Sequence, residues 1–291
     1  YYSANTKALL NSTEAAYYHF RNSTSSLTRA MADVRGKEDG FWFKVHGGKL
    51  EGDNFENSYR TYQVGYNKMA GATALGVIFE RSEGNIDQAM GTGDSNVTSF
   101  AAYAGREFDS GYYANFLLRG GKMTSDLTIN GQFPDYGKYD NSIFSAALQF
   151  GRKFDAGHGW NIVPQAELIY GRLGSDKFVT TRGTTAEIEG MTSILGRFGV
   201  DFVKKASDTT DFYLTTSLYH EFDGDQTVRL LDTAGGSAVV TRDFGGTWWE
   251  AGIGFKTMIG KNVYAFGELE RSFSSDIEKK WHISAGLNWV F

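Results

Sequence analysis

The sequence predicts an all-β transmembrane fold, a 12-stranded antiparallel outer-membrane β-barrel with an N-terminal α-helix inside the lumen. Three observations lead there. The 291 residues are 41% hydrophobic and 15% aromatic, hold 36 Gly, 2 Pro and no Cys, and have a mean hydropathy of -0.36. Gly is well above its usual ~7%, and no apolar run approaches the ~18 residues of a transmembrane helix. A barrel strand gives only every second side chain to lipid, so its average hydropathy resembles that of a soluble protein. Second, from Gly40 onward the apolar period is two. Third, the connections between strands alternate short and long along the whole chain.

The first 36 residues stand apart, rich in Ala, Ser, Thr and Asn. Leu9, Leu10, Ala15, Ala16, Phe20, Leu27, Met31 and Val34 suit a weakly amphipathic helix, with Gly36 as its stop. Such a helix, polar on its flanks, fits a wet cavity better than an ordinary core. The division expected is therefore a linker helix in the pore over 1–36 and a barrel over 37–291.

Strands are expected at 40–50, 58–69, 71–82, 95–108, 111–125, 139–154, 159–175, 190–205, 210–222, 244–258, 262–273 and 280–291. Ile194, Phe198, Val200 and Phe202 oppose Arg197 and Asp201; Trp249, Ala251, Ile253 and Phe255 oppose Glu250 and Lys256; Ile162, Ala166, Leu168 and Tyr170 oppose Asn161, Gln165 and Glu167. Short connections fall at 69–71, 109–110, 155–158, 206–209 and 260–261. Longer polar ones fall near 51–57, 83–94, 126–138, 176–189, 223–243 and 274–279; within 223–243 the apolar residues alternate, as in a hairpin projecting beyond the membrane or in protruding strand ends. Short periplasmic turns and long extracellular loops are the outer-membrane pattern, which a β-sandwich has no cause to produce. The even strand number puts both barrel termini on the short-turn, periplasmic side. Closure removes every sheet edge, as a sheet in hydrocarbon requires, and twelve strands enclose room for one helix.

Aromatic residues gather near strand ends: Phe41, Trp42, Phe43, Tyr112, Tyr113, Trp160, Trp248, Trp249, Trp281 and Trp289. The chain closes on KWHISAGLNWVF, where Trp281, Ile283, Ala285, Leu287, Trp289 and Phe291 alternate with Lys280, His282, Ser284, Gly286, Asn288 and Val290. An alternating aromatic strand with a terminal Phe looks like the signal read by the barrel-assembly machinery, since an exposed last strand can pair edge to edge with an assembler.

With these features the chain resembles the translocator domain of monomeric autotransporters, the type Va secretion systems. The resemblance covers essentially the whole length: a helical linker, a GFWFKVHGG first strand similar to the family's G-x-W-x-(R/K) opening, twelve strands and the terminal Phe. It implies an upstream, covalently linked passenger carried to the cell surface, with the linker helix left spanning the pore. One departure stands out. In a protease-carrying subgroup the helix reads like NNLNKRMGDLR and the passenger is released by cyclisation of an Asn. Here the matching stretch is SSLTRAMADVR, with Ser25 and Ser26 where the Asn pair would be. Ser has no side-chain amide to attack its own carbonyl, so no Asn-type self-cleavage is expected.

Inward-facing ionisable residues are expected at Lys44, His46, Glu167, Arg197, Asp201, Glu250 and Glu268, either as a solvated pore wall or as holders of the helix through Arg21, Arg29, Asp33 or Arg35. The net charge of -5 offers no basic field for nucleic acid. Without Cys there is no thiolate metal site. The five His residues form no HExxH, and neither GxSxG nor GxxxxGK(S/T) occurs. No cofactor, no metal and no enzyme activity are expected, and the partners are outer-membrane lipid, the assembly machinery and the passenger, with the barrel a monomer. Two alternatives stay open. A passive 12-stranded pore would conduct as it stands, and an outer-membrane lipase or protease would assemble its triad from distant strands.

Overall fold

A computed structural model describes residues 2–34, 38–273 and 276–291. The helix α1 (Ala4–Val34) comes first, followed by β1 (Gly40–Gly52), β2 (Glu56–Ala70), β3 (Thr73–Gln88), β4 (Gly91–Glu107), β5 (Tyr112–Ile129) and β6 (Asp135–Arg152). A short β7 (Phe154–Gly157) precedes β8 (Trp160–Leu173), and β9 (Asp176–Val179) and β10 (Thr185–Ile188) precede β11 (Met191–Lys205) and β12 (Thr210–Glu221). Then come β13 (Asp225–Leu231), β14 (Ser237–Asp243), β15 (Gly246–Met258), β16 (Val263–Phe273) and β17 (Ile277–Val290).

Twelve of these strands make the barrel, in the order β1-β2-β3-β4-β5-β6-β8-β11-β12-β15-β16-β17. The sheet closes where β17 returns to β1, paired from Gly40↔Val290 to Gly52↔Ile277. Every pairing is antiparallel, so the meander needs only turns. Alternation sorts the side chains: along β2 the pattern runs exposed, buried, exposed through Val64, with Tyr59, Thr61 and Gln63 inward and Arg60, Tyr62 and Val64 outward. The outward set, including Phe100, Phe198, Ile253 and Trp289, is an apolar band for lipid.

Inside lies α1, 31 residues and ~46 Å long at 1.5 Å per residue, enough to cross the whole bilayer. Ser3 caps it, its Oγ accepting the Thr6 N–H at 3.1 Å. Its Ser and Thr hydroxyls turn back onto the helix, Thr13 to Leu10 O and Ser23 to Phe20 O. That satisfies polar groups that would otherwise be buried without partners. The apolar residues Leu9, Leu10, Ala15, Ala16, Phe20, Leu27 and Met31 are all buried. Leu27, Ala30 and Met31 pack near Trp42 and Tyr103; Ala15, Ala16 and Phe20 near Tyr59 and Met123; Ala8, Leu9 and Leu10 near Leu127 and Ile188. The helix therefore runs from the short-turn end, where it leads into β1, to the opposite end. The expected stop at Gly36 lies outside the described residues.

Two features differ from the sequence reading. The stretches expected as long loops at 51–57, 83–94 and 126–138 are mostly strand: β1 and β2 are joined by 53–55, β3 and β4 by 89–90, and β5 and β6 by 130–134. Beyond the membrane both faces of a strand can be polar, so alternation fades while the ladder continues. Second, 176–189 folds into a hairpin, β9–β10, as the alternating segment 223–243 does in β13–β14, and the two join through β10 and β13 into a four-stranded sheet. Its inner residues Ala186, Ile188, Val228 and Leu230 cover Ala8, Leu9 and Leu10 of the helix.

Candidate functional site: the plugged lumen

The helix is held by charged and hydrogen-bonded contacts at several levels of the barrel wall. At its middle, Arg119 of β5 and Glu80 of β3 form an ion pair at 3.0 Å with side chains 0% and 1% exposed. The same guanidinium donates to Ser23 and Thr24 of the helix, both at 2.8 Å, and to Ser99 at 3.0 Å. Glu80 also accepts from Gln63 at 2.7 Å. A fully buried charge is tolerable only when its partners saturate it, and here one planar fork joins wall and helix.

Nearer the short-turn end, Arg29 reaches Glu268 at 2.9 Å and Asp201 at 3.5 Å. Thr28 donates to Glu167 at 2.8 Å, and Glu167 pairs with Arg197 at 3.5 Å. Arg197 is fixed in turn by Gln165 at 2.7 Å and Ser217 at 3.0 Å. Toward the other end, Tyr17 donates to Glu221 at 2.6 Å, and Arg242 of β14 binds Glu14 at 3.0 Å. Arg21 is held by aromatic faces instead. Its guanidinium lies 4.2 Å from the Trp248 ring centroid and 4.7 Å from that of Tyr18, and donates to Phe244 O at 3.3 Å.

Of the lumen residues expected from sequence, Lys44, His46, Glu167, Arg197, Glu250 and Glu268 are buried inward, and the Asp201 side chain is 15% exposed. Ser25 and Ser26 turn back on the helix, bonding Arg21 O and Ser23 O, and they line a cavity of about 30 Å³ shared with Arg29, His46, Glu268 and Lys279. The Asp33 side chain and the whole of Arg35 lie outside the described residues.

Residues the sequence reading missed include Arg119, Glu80 and Lys279. Lys279 is buried against Glu250 at 3.1 Å and Glu270 at 2.9 Å. Strict alternation puts Lys280 on the lumen face, and the structure corrects this. A register shift between Lys49 and Leu50 pairs Trp281 with Lys49 and Lys279 with Leu50. Lys280 is the extra residue of the resulting bulge, and it reaches out to Glu278 and Glu51. The structure also gathers His residues that are remote in sequence: His46 Nδ1 lies 3.3 Å from His282 Nε2, and Tyr59 Oη lies 2.7 Å from His282 Nδ1. This contact joins β17 to β2 across β1, above Gly48, where a Cβ would lie 2.3 Å from Tyr59 Oη.

On the last strand, Trp281, Ile283, Ala285, Leu287 and Trp289 face outward. Phe291 follows it, its N–H donating to Asp39 O at 3.0 Å and its ring 5.6 Å from Phe41.

The chain matches a family model described as the autotransporter beta-domain over residues 41–270. It is 29% identical over 205 residues to the pertactin autotransporter of Bordetella bronchiseptica, covering 68% of this chain and 22% of that one. It is 26% identical over 292 residues to the serine protease pet autotransporter of Escherichia coli, covering 94% of this chain and 22% of that one. The chain thus spans about a fifth of the length of these curated relatives. Among solved structures it is similar to the translocator domain of autotransporter NalP from Neisseria meningitidis, with a TM-score of 0.80 and 16% identity over 99% of this chain and all of that one. The beta domain of the Bordetella autotransporter BrkA gives 0.70 and 20% identity over 88% of this chain and all of that one. With its twelve-stranded barrel, its lumenal helix and a family match across most of its length, the chain belongs to the autotransporter beta-domain family of outer-membrane barrels.

Proposed function

We propose that this chain is a translocator: it inserts in the outer membrane, mediates passage of an N-terminal passenger to the cell surface, and anchors it through the helix left in the pore. The observation that carries this reading is the course of α1. It joins β1 at the short-turn end and puts Ala4 at the other, beyond Ala8, Leu9 and Leu10, which the sheet of β9, β10, β13 and β14 covers. Any polypeptide attached before Ala4 therefore leaves the barrel on the side opposite the barrel's own termini. With short turns and both barrel termini in the periplasm and the hairpins outside, that exit is extracellular. The unit of function is the linker helix of 1–36 within the barrel of 37–291, and it works as a monomer.

The outward aromatic row from Trp281 to Phe291 serves as the assembly signal, open to edge pairing before β17 meets β1. The barrel itself does no catalysis. Ser25 and Ser26 supply no amide nucleophile, so a purified precursor that carries chain before Tyr1 stays intact on incubation. The plug is tested in planar bilayers. The full chain should show low conductance, and deletion of 1–36 should raise it severalfold. High conductance of the intact chain, unchanged by the deletion, would identify a passive pore instead.

A further inference from the structure

The lipid-facing wall is not evenly convex: it carries a hollow of about 620 Å³ near the short-turn end, across β11, β12, β15, β16 and β17. One row of paired positions builds it. Trp160 stands opposite Lys204, Lys204 opposite Phe212, Phe212 opposite Phe255, Phe255 opposite Gly267, and Gly267 opposite Ala285. The row thus descends from large rings to the two smallest side chains. Phe255 leans onto the bare backbone of Gly267, where a Cβ would lie 2.8 Å from its ring. Ala285 beyond it presents only a methyl group. One rung further into the membrane the wall is aliphatic, with Leu214 paired to Ile253 and Leu269 paired to Ile283.

The mouth of the hollow is chemically different. Lys204 holds its ammonium 5.4 Å from the Trp160 ring centroid and donates to the His158 carbonyl. Among the described residues it has no carboxylate within ion-pair distance, whereas its neighbour Lys205 has Asp208 at 4.0 Å. An unneutralised cation beside a Trp, at the level of the turns, sits where lipid headgroups lie, with an apolar trough leading from it toward the bilayer centre.

We infer that this hollow is a binding site for one anionic phospholipid, with its phosphate on Lys204 and an acyl chain laid along Gly267 and Ala285. Charge and shape agree on this occupant. A second barrel would bring another convex wall to a concave one and would leave the ammonium unmatched. With the short turns in the periplasm, the site opens to the phospholipid leaflet. The inference does not depend on passenger passage, only on the outward face meeting lipid.

The test uses the full chain in nanodiscs of phosphatidylcholine with a minor fraction of phosphatidylglycerol, one of the two carrying brominated acyl chains. Quenching of Trp160 is isolated as the difference from Trp160→Phe. Brominated phosphatidylglycerol should quench Trp160 beyond its share of the lipid. Lys204→Gln should cut that preference about fivefold, as loss of one surface cation near a membrane implies, while Lys204→Arg keeps it. Ala285→Leu, which fills the trough, should lower quenching by either lipid. Heat-modifiable gel mobility verifies that each variant is a folded barrel, and the wild-type comparison between lipids stands without any variant. Quenching by each lipid in proportion to its share of the bilayer would overturn the inference, as would a dimer cross-linked through this face with no excess of phosphatidylglycerol.

Discussion

Replacing Arg119 with Met isolates the central tie between wall and helix. Met keeps much of the volume but removes the fork that meets Glu80 at 3.0 Å, Ser99 at 3.0 Å, and Ser23 and Thr24 at 2.8 Å. Glu80 is then left 1% exposed with Gln63 as its remaining polar contact. Breaking a buried pair from one side costs about 3–5 kcal/mol, a factor of roughly 10² to 10⁴ in the folding equilibrium. If the cost comes from the stranded carboxylate, a second change, Glu80→Gln, should return much of it, because the amide it introduces can bond to that of Gln63 with no charge left buried. The double-mutant cycle should show a coupling above about 1 kcal/mol. Denaturant unfolding of the detergent-refolded barrel, followed by Trp fluorescence and by gel mobility, reads all four corners of the cycle. A single-variant loss below about 1 kcal/mol, or a double variant no better than Arg119→Met, would refute the argument.

Three other outcomes follow from the geometry. Arg29→Gln removes the contacts to Glu268 and Asp201 while sparing the mid-helix tie, so planar-bilayer recordings should show more frequent openings of the full chain than in wild type. Removing Phe291 leaves the β1–β17 ladder intact but deletes the last aromatic of the outward row, and should lower the yield of heat-modifiable barrel in cells far more than its refolding in detergent. Gly48→Val would drive a side chain into Tyr59 Oη and Trp281 O, 2.3 and 2.5 Å from the new Cβ, and should cost a few kcal/mol by denaturant midpoint. The outward-facing control Val45→Ile should cost little.

Twelve strands and a leading helix are legible because lipid and a wet lumen impose opposite demands on alternate residues, and Trp249 to Phe255 against Glu250 obeys them without exception. The residues that hold the helix are harder to see. Arg119 follows Leu117 and Leu118 and precedes two Gly, so the period of two breaks just where its face must be decided. Glu80 is hidden in the same way behind Val77, Ile78 and Phe79, one apolar run of which Val77 and Phe79 face lipid and Ile78 the lumen. Lys279 escapes assignment to either face, since a bulge shifts register by one residue and sequence alternation carries no trace of it. The hairpin of 176–189 lacks a lipid face to betray it, whereas that of 223–243 shows its alternation; the joining of the two into one sheet is set by the helix end they cover, a tertiary cause.

The contact between Tyr59 and His282 has a consequence for how the cylinder comes apart. A ring of strands closed only by backbone pairs at one joint could unzip there a rung at a time. Here the last strand is tied beyond its neighbour to the second strand, at a level well inside the joint. Partial opening from either rim must stop at that tie, so release of the last strand requires the first two to yield together. The joint should therefore part as a cooperative unit rather than fray.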